Sequence, residues 1–260
     1  MDAAIIFGTG IYLIKGFNGV EKTIETPYGP ALVNIGTYEG FELAFLARHG
    51  LDHTTPPHKI NYRANIKALQ ILGVKHVLAT NAVGSITRVI PPMGLGLLTD
   101  FLDFTSGREF TFFDGGNSGL AHTNMDVTYC PVLRKKILDL APEFDLKIHP
   151  EAVYVATNGP RFETPAEIRM YAQLGGDVVG MTGIPEVVLA RELGMHYAAV
   201  AYSINWAAGL EQEMSFVGDQ MADIKQRLTM LLVNTLKGQL DETCGCEQAV
   251  MMMHEPVRIS

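Results

Sequence analysis

Short apolar runs alternate with amphipathic helical patterns along almost the whole chain. The runs "AAIIF" (3–7), "ELAFLA" (42–47), "HVLAT" (76–80), "AVYVAT" (152–157), "DVVGM" (177–181) and "HYAAVAYSI" (196–204) are rich in small and β-branched residues. They show little polar alternation, the pattern of strands covered on both faces. Between them, "NYRANIKALQILG" (61–73), "PVLRKKILDLA" (131–141), "TPAEIRMYAQLG" (164–175) and "PEVVLARELG" (185–194) have helical spacing. A last helix places Met221, Ile224, Leu228, Leu231, Leu232 and Leu236 along one face. Residues 20–47 predict an antiparallel meander. Strands alternating with helices predict an α/β fold, a single domain with a central mixed β-sheet flanked by helices. It spans residues 1–240, with no repeat or linker inside it. Residues 241–260 read as a loosely ordered C-terminal extension.

The segments that follow these runs are unusual. "GTG" (8–10), "RHG" (48–50), "NAVGS" (81–85), "GPRFET" (159–164), "TG" (182–183) and "NWAAG" (205–209) all carry glycine or polar residues at predicted strand ends. In open α/β sheets, ligands bind beyond the carboxyl ends of strands. These ends together predict one site. In "GPRFET" the helix start is well specified: Thr164 caps, Pro165 suits the first turn, and Glu167 completes a capping box. Glu163 therefore sits just outside the helix, although a solvated loop carboxylate would have the same local sequence.

Composition narrows the ligand. Apolar content of 47% and charged content of 18% over 260 residues are those of a soluble globular protein. A formal charge of −8 argues against a nucleic-acid or anionic-membrane partner. It still leaves room for a local pocket that holds a small anion. The stretch "MDAAIIFGTG" has no basic n-region and is not expected to be a signal peptide, and no run of about 18 to 20 apolar residues is present. Three cysteines, Cys130, Cys244 and Cys246, make no disulfide framework, so the expected compartment is the cytoplasm. Cys244 and Cys246 with His254 match no standard zinc spacing. A redox-active C-x-C pair is an alternative there, and no metal is expected.

Gly8-Thr9-Gly10 is half of a dinucleotide fingerprint, but Leu13 stands where a third glycine belongs. As a loop offering N–H groups and a hydroxyl, it suits an anion. The Arg48 fork matches phosphate geometry, with His49 as a further donor. His53 and His58 raise a metal as a rival, but no carboxylate or cysteine accompanies them at ligand spacing. Small residues in "TNAVGS" let a ligand approach backbone N–H groups, and Thr182 precedes a helix start that favours anions. Thr9, Arg48, His49, the Ala82 N–H and Thr182 thus predict a phosphate cradle. The other strand ends differ in character. Phe162 offers a flat apolar face, Glu163 an acceptor pair, and Asn205 a donor and an acceptor, the means by which proteins read a nucleobase edge. Cradle and base reader together imply a nucleotide, or a nucleoside with free phosphate.

"TNAVGS", "GPRFETPAE" and "VVGMTGIPEVVLARELG" resemble the trimeric purine nucleoside phosphorylase and methylthioadenosine phosphorylase family, over residues 3–236. "ETPYG", "LARHG", "PPHKINYRAN" and "GREFTFFDG" look closest to its methylthioadenosine and methylthioinosine branch. The resemblance implies a nucleoside phosphorylase fold and replacement of the purine at C1′ by inorganic phosphate, the co-substrate. It implies no metal and no organic cofactor, and a homotrimer or dimer of trimers. Family phosphate ligands match Thr9, Arg48, His49, Ala82 and Thr182; the sugar-contacting methionine matches Met181 and its aromatic neighbour Phe162. Asn205, Glu163 and His49 take the catalytic positions. His122, in "LAHTNMD", matches a residue that reaches a neighbouring subunit's site near the 5′ group, though an ordinary loop histidine reads the same way.

Relatives acting on 6-aminopurines have serine and aspartate where Glu163 and Asn205 stand, so a 6-oxopurine is expected. Relatives that cleave inosine place a histidine before the last helix. Here "EQEMSFVGDQM" offers Met214, Phe216 and Val217 instead. The resemblance therefore implies S-methyl-5′-thioinosine and phosphate as substrates, with hypoxanthine and 5-methylthioribose 1-phosphate as products. The alternatives are a phosphorylase for inosine and guanosine, a methylthioadenosine phosphorylase, a nucleosidase, and a nucleoside-binding protein without activity. Two departures stand out: Phe7 replaces a family glycine, and "TRVIPPMGLGLLTD" lacks the usual Pro-Gly-Asp turn.

Overall fold

The apolar runs become the interior of one nine-stranded sheet. The computed structural model describes residues 1–8, 16–50, 54–213, 215–238, 240 and 243–254. Its elements, in chain order, are β1 (Ala3–Phe7), β2 (Asn18–Ile24), β3 (Ala31–Tyr38), β4 (Phe41–Ala47), α1 (Tyr62–Ile71), β5 (His76–Ser85), β6 (Leu95–Asp103) and β7 (Leu120–Thr123). There follow α2 (Pro131–Leu140), β8 (Ile148–Ala156), α3 (Pro165–Gln173), β9 (Val178–Gly180), α4 (Glu186–Glu192), β10 (His196–Trp206), α5 (Ala222–Leu236) and β11 (Val250–His254).

The sheet has two parts that share β5. On one side, β1 runs parallel to both β5 and β4, and β4, β3 and β2 form the expected antiparallel meander. On the other, β10 pairs with β5 and β6, β6 with β8, β8 with β9, and β9 with the end of β5. These pairings close on themselves as a ring of strands. β10 is antiparallel to β6 and parallel to β5, which makes the sheet mixed.

Alternation along β1 sends Ala4 and Ile6 to one face and Ala3, Ile5 and Phe7 to the other. Residues of α1 and α4 cover the first face; those of α2 and α5 cover the second. α3 packs Ile168 and Tyr171 on Val155 and Val179. Phe7, the departure from the family glycine, is buried and stacks on Phe45 with ring centroids 5.1 Å apart.

Two expectations need correction. "NAVGS" is not a loop, because β5 continues through Ser85 alongside β10. The tail is not loose over its described residues. β11 pairs antiparallel with β7, Cys246 and Ala249 are buried, and Leu240 and Cys244 pack on the α2/α5 cluster. Composition alone hid this, since the tail is ordered by contacts with distant segments. β6 was also missed: register shifts at Gly96/Leu98 and Leu98/Asp100 break the alternation that marks a strand.

Candidate active site

A cavity of about 320 Å³ opens where β1, β4, β5, β9 and β10 end. Gly8, His49, Ala82, Phe162, Glu163, Met181, Thr182 and Asn205 line it, so seven of the sequence-predicted residues meet there. Thr9 and Met214 lie outside the described residues.

On the base-reading side, α3 begins as predicted. Thr164 accepts from the Glu167 N–H and the Glu167 side chain accepts from the Thr164 N–H, forming the capping box. Glu163, held just before it, is 9% exposed, and its Oε1 accepts from the Thr157 hydroxyl at 2.7 Å. Asn205 is buried and its Nδ2 donates to the Trp206 carbonyl at 2.7 Å. One amide N–H and the Oδ1 of Asn205 are left by that bond. Phe162 is half-exposed at the rim. The turn needs Gly159, whose φ is +63°; a Cβ there would also collide with the Met181 sulfur.

On the anion side the arrangement differs from the expected cradle. Arg48 does not line the cavity. It lies fully buried behind Gly8, with Nε and Nη2 each 2.6 Å from a carboxylate oxygen of Glu186 and Nη1 donating to the Thr80 carbonyl at 3.0 Å. Burial opposes its charge, but the Glu186 charge and hydrogen bonds outweigh that and hold its pKa above the ordinary arginine value. The fork is therefore committed to protein, and Arg48 approaches the cavity only through Nη1, 3.3 Å from where a Cβ on Gly8 would stand.

The start of α4 is likewise occupied. The N–H groups of Thr182 and Gly183 donate to the Tyr154 hydroxyl at 3.0 and 3.1 Å, and Glu186 places its own carboxylate in the first turn. Burial pushes the Tyr154 phenol up, against the pull of those N–H groups. Tyr197 is raised well above its usual value, by burial first and then by Glu186, so its hydroxyl keeps its proton and donates to Glu186 at 2.7 Å. What remains for an anion among the described residues is a pair of dipoles, the Thr182 hydroxyl and the Ala82 backbone. His49 Nδ1 meets the Thr55 carbonyl at 2.8 Å, an acceptor that fixes the proton on that nitrogen.

Some residues were missed. Asn81 is fully buried and donates to Thr182 Oγ1 at 3.2 Å, orienting that hydroxyl. Thr80 receives the Gly8 N–H on its hydroxyl at 3.2 Å. A polar pair, Thr80-Asn81, inside an apolar run was the available signal. Phe216 and Val217 do not line the cavity but stand beside it. The Phe216 ring is 5.7 Å from that of Phe162, and the Val217 N–H donates to the Ile204 carbonyl at 2.8 Å. His122 is on β7, opposite Met251 of β11, and does not line this chain's cavity.

Known proteins show the same framework. Residues 2–237 match the model of the phosphorylase superfamily. A probable 6-oxopurine nucleoside phosphorylase of Moorella thermoacetica is 46% identical over 256 residues, 96% of this chain and 98% of that protein. A probable S-methyl-5′-thioinosine phosphorylase of Methanopyrus kandleri is 42% identical, covering 96% and 97%. The solved methylthioadenosine phosphorylase of Schistosoma mansoni, in complex with tubercidin, superposes with a TM-score of 0.86 over 95% of each chain at 31% identity. A fold and a sequence that agree over nearly the full length leave one assignment: the chain belongs to the phosphorylase superfamily.

Proposed function

We propose that the protein is a purine nucleoside phosphorylase acting on 6-oxopurine nucleosides, with S-methyl-5′-thioinosine its preferred substrate. The observation that carries this reading is that buried Glu163 and Asn205 line one cavity together with Thr182 and His49. A 6-oxopurine presents a donor at N1 and an acceptor at O6. Glu163, with Oε1 already accepting from Thr157, has Oε2 to accept from N1–H. The amide of Asn205 has an N–H for O6 and an oxygen that accepts a hydrogen bond from N7–H once N7 is protonated. Adenine reverses the N1 and C6 pattern and would set a lone pair against a carboxylate.

The chemistry follows from where charge develops. As the C1′–N9 bond breaks, its electron pair leaves with the purine and C1′ becomes cationic. Phosphate held beside Thr182, Ala82 and His49 stabilises that carbon and then forms the new C1′–O bond. Asn205 hydrogen-bonds the purine as negative charge accumulates; such a preorganised donor contributes roughly 10² to 10³ in rate. Thr9 and one Nη1 proton of Arg48 complete the phosphate site in this reading, and Met181 and Phe162 seat the sugar. No metal or organic cofactor enters the reaction. The names of the Moorella and Methanopyrus relatives support the 6-oxopurine assignment. Phe216 and Val217 support the methylthio preference.

The working unit is a homotrimer or a dimer of trimers in the cytoplasm, with His122 reaching a neighbour's 5′ pocket. Among the described residues, no helix is long and apolar enough to cross a membrane. Purine release measured with and without phosphate tests the reaction. Release only with phosphate supports it, release in water makes the protein a nucleosidase, and no release on a panel of 6-oxopurine nucleosides removes the reading.

A further inference from the structure

Outside the cavity, three separate parts of the chain bring soft donor atoms together. Cys130 stands at the N-cap of α2, His196 is the first residue of β10, and Cys244 and Cys246 come from the segment after α5. Cys244 Sγ is 3.0 Å from His196 Nδ1, 3.6 Å from Cys130 Sγ and 3.3 Å from Cys246 Sγ. Cys130 Sγ is 3.6 Å from the same His196 nitrogen. All four ligand atoms lie within 4.8 Å of one another. A tetrahedral zinc ion with bonds of about 2.3 Å to sulfur and about 2.0 Å to nitrogen holds its ligand atoms roughly 3.5 to 3.8 Å apart. Four of the six pairs lie at 3.0 to 3.6 Å and none exceeds 4.8 Å, so small side-chain shifts bring the atoms to that spacing.

We propose that Cys130, His196, Cys244 and Cys246 bind one zinc ion that fastens the C-terminal segment to the sheet. Three thiolates and an imidazole are a soft, closed ligand set, which favours zinc over magnesium or calcium and leaves no open position for catalysis. Cys130, Cys246 and His196 are 1% exposed, while Cys244 is only partly buried and gives the ion a way in. The imidazole is aimed by its stack on His76, with centroids 4.7 Å apart, and the Cys130 N–H is tied to the Tyr197 carbonyl at 2.8 Å. The C-x-C spacing hid this from the sequence, because the other two ligands are Cys130 and His196 and not the nearby His254. His254 is exposed on β11.

The ion has a structural consequence. The tail beyond Cys246 becomes β11, whose only strand partner among the described residues is β7. Anchoring Cys244 and Cys246 to α2 and β10 would hold β11 in place beside β7. This does not depend on the proposed reaction, and it is tested without it.

Protein purified under reducing conditions without added metal is expected to carry about one zinc per chain by elemental analysis. In Cys244→Ser/Cys246→Ser that content should fall about tenfold or more. Wild-type protein, stripped with a chelator and titrated with Co²⁺, should develop thiolate-to-cobalt charge-transfer bands and tetrahedral d–d bands. This readout stands even if the double variant fails to fold. Hydrogen exchange in residues 250–254 should quicken on zinc removal and slow again on its return. The proposal is overturned if reduced wild-type protein neither retains zinc nor gives those cobalt bands. A Cys244–Cys246 disulfide as the sole stable state, with no zinc taken up after reduction, overturns it equally. Unchanged exchange on zinc removal overturns the fastening role.

Discussion

Arg48 and Glu186, 138 residues apart, form a fully buried two-point ion pair behind the cavity, at 2.6 Å on both contacts. Taking both charges out of water is costly, and the pair balances only while both members are present. Arg48→Ala should therefore cost about 3 to 5 kcal/mol in urea unfolding, because Glu186 is left buried and uncompensated. Arg48→Met/Glu186→Met should recover most of that loss. In this double variant the phosphate KM should still rise about tenfold or more, the effect of losing one charge-assisted hydrogen bond from Nη1, while the nucleoside KM is unchanged. An unaltered phosphate KM would make Arg48 a purely structural residue.

Glu163 is expected to set the choice of base. Glu163→Gln should lower kcat/KM for hypoxanthine nucleosides by about 10- to 100-fold, the worth of one hydrogen bond to a charged acceptor. The ratio of adenine to hypoxanthine turnover should rise, since an amide tolerates an acceptor at N1. Thr157→Val removes the 2.7 Å bond that aims the carboxylate, and should act in the same direction but more weakly. A Glu163→Gln enzyme with wild-type selectivity would move base reading to other residues.

What was legible in the chain follows a physical division. Apolar periodicity reports burial, so the strands 3–7, 76–80 and 196–204 and all five helices were visible. Capping chemistry reports local backbone geometry, so the "GPRFET" turn showed that Glu163 stands just outside α3. Neither reports which polar groups meet across the sheet. Arg48 therefore read as an open anion clamp, when its partner was Glu186 of "GIPE". Cys130 and His196, 66 residues apart, showed no sign of meeting Cys244. Thr80 read as the end of a strand and Asn81 as the start of a loop, and their work behind Gly8 and Thr182 emerges only when β1, β5 and the start of α4 are side by side.

The capping box on α3 can be tested by stability. Thr164→Ala should cost about 1 kcal/mol. Hydrogen bonds from Arg161, then the Thr164 N–H, draw the Glu167 carboxyl down from 4.5 to about 2, against a small opposing effect of burial. A carboxylate depressed in the folded state stabilises it above the unfolded pKa, and that contribution is lost as pH falls from about 4.5 toward 2. The stability gap between wild type and Glu167→Gln should therefore be widest near neutrality and close across that acid range. A gap that does not change with pH would show that the box contributes geometry and no charge.

The segment before α5 is expected to decide the 5′ group. Val217 is pinned to the Ile204 carbonyl, one residue from Asn205, and Phe216 leans on the Phe162 ring at the mouth of the cavity. The described part of that wall, residues 215–217, is Ser-Phe-Val and carries no histidine. A 5′-hydroxyl buried against Phe216 and Val217 would lose its water without gaining a partner, at a cost of roughly 1 to 3 kcal/mol. A methylthio group gains about 0.8 kcal/mol for a methyl-sized surface removed from water. At about 1.4 kcal/mol per tenfold, methylthioinosine should outcompete inosine by roughly one to three orders of magnitude in kcat/KM. Phe216→His, which supplies a hydrogen-bond partner and removes apolar surface, should narrow that ratio by about tenfold. Both nucleosides in one reaction give the ratio directly. Equal use, or a preference for inosine, would mean that another group meets the 5′-hydroxyl and that Phe216 and Val217 only seat α5 on the sheet.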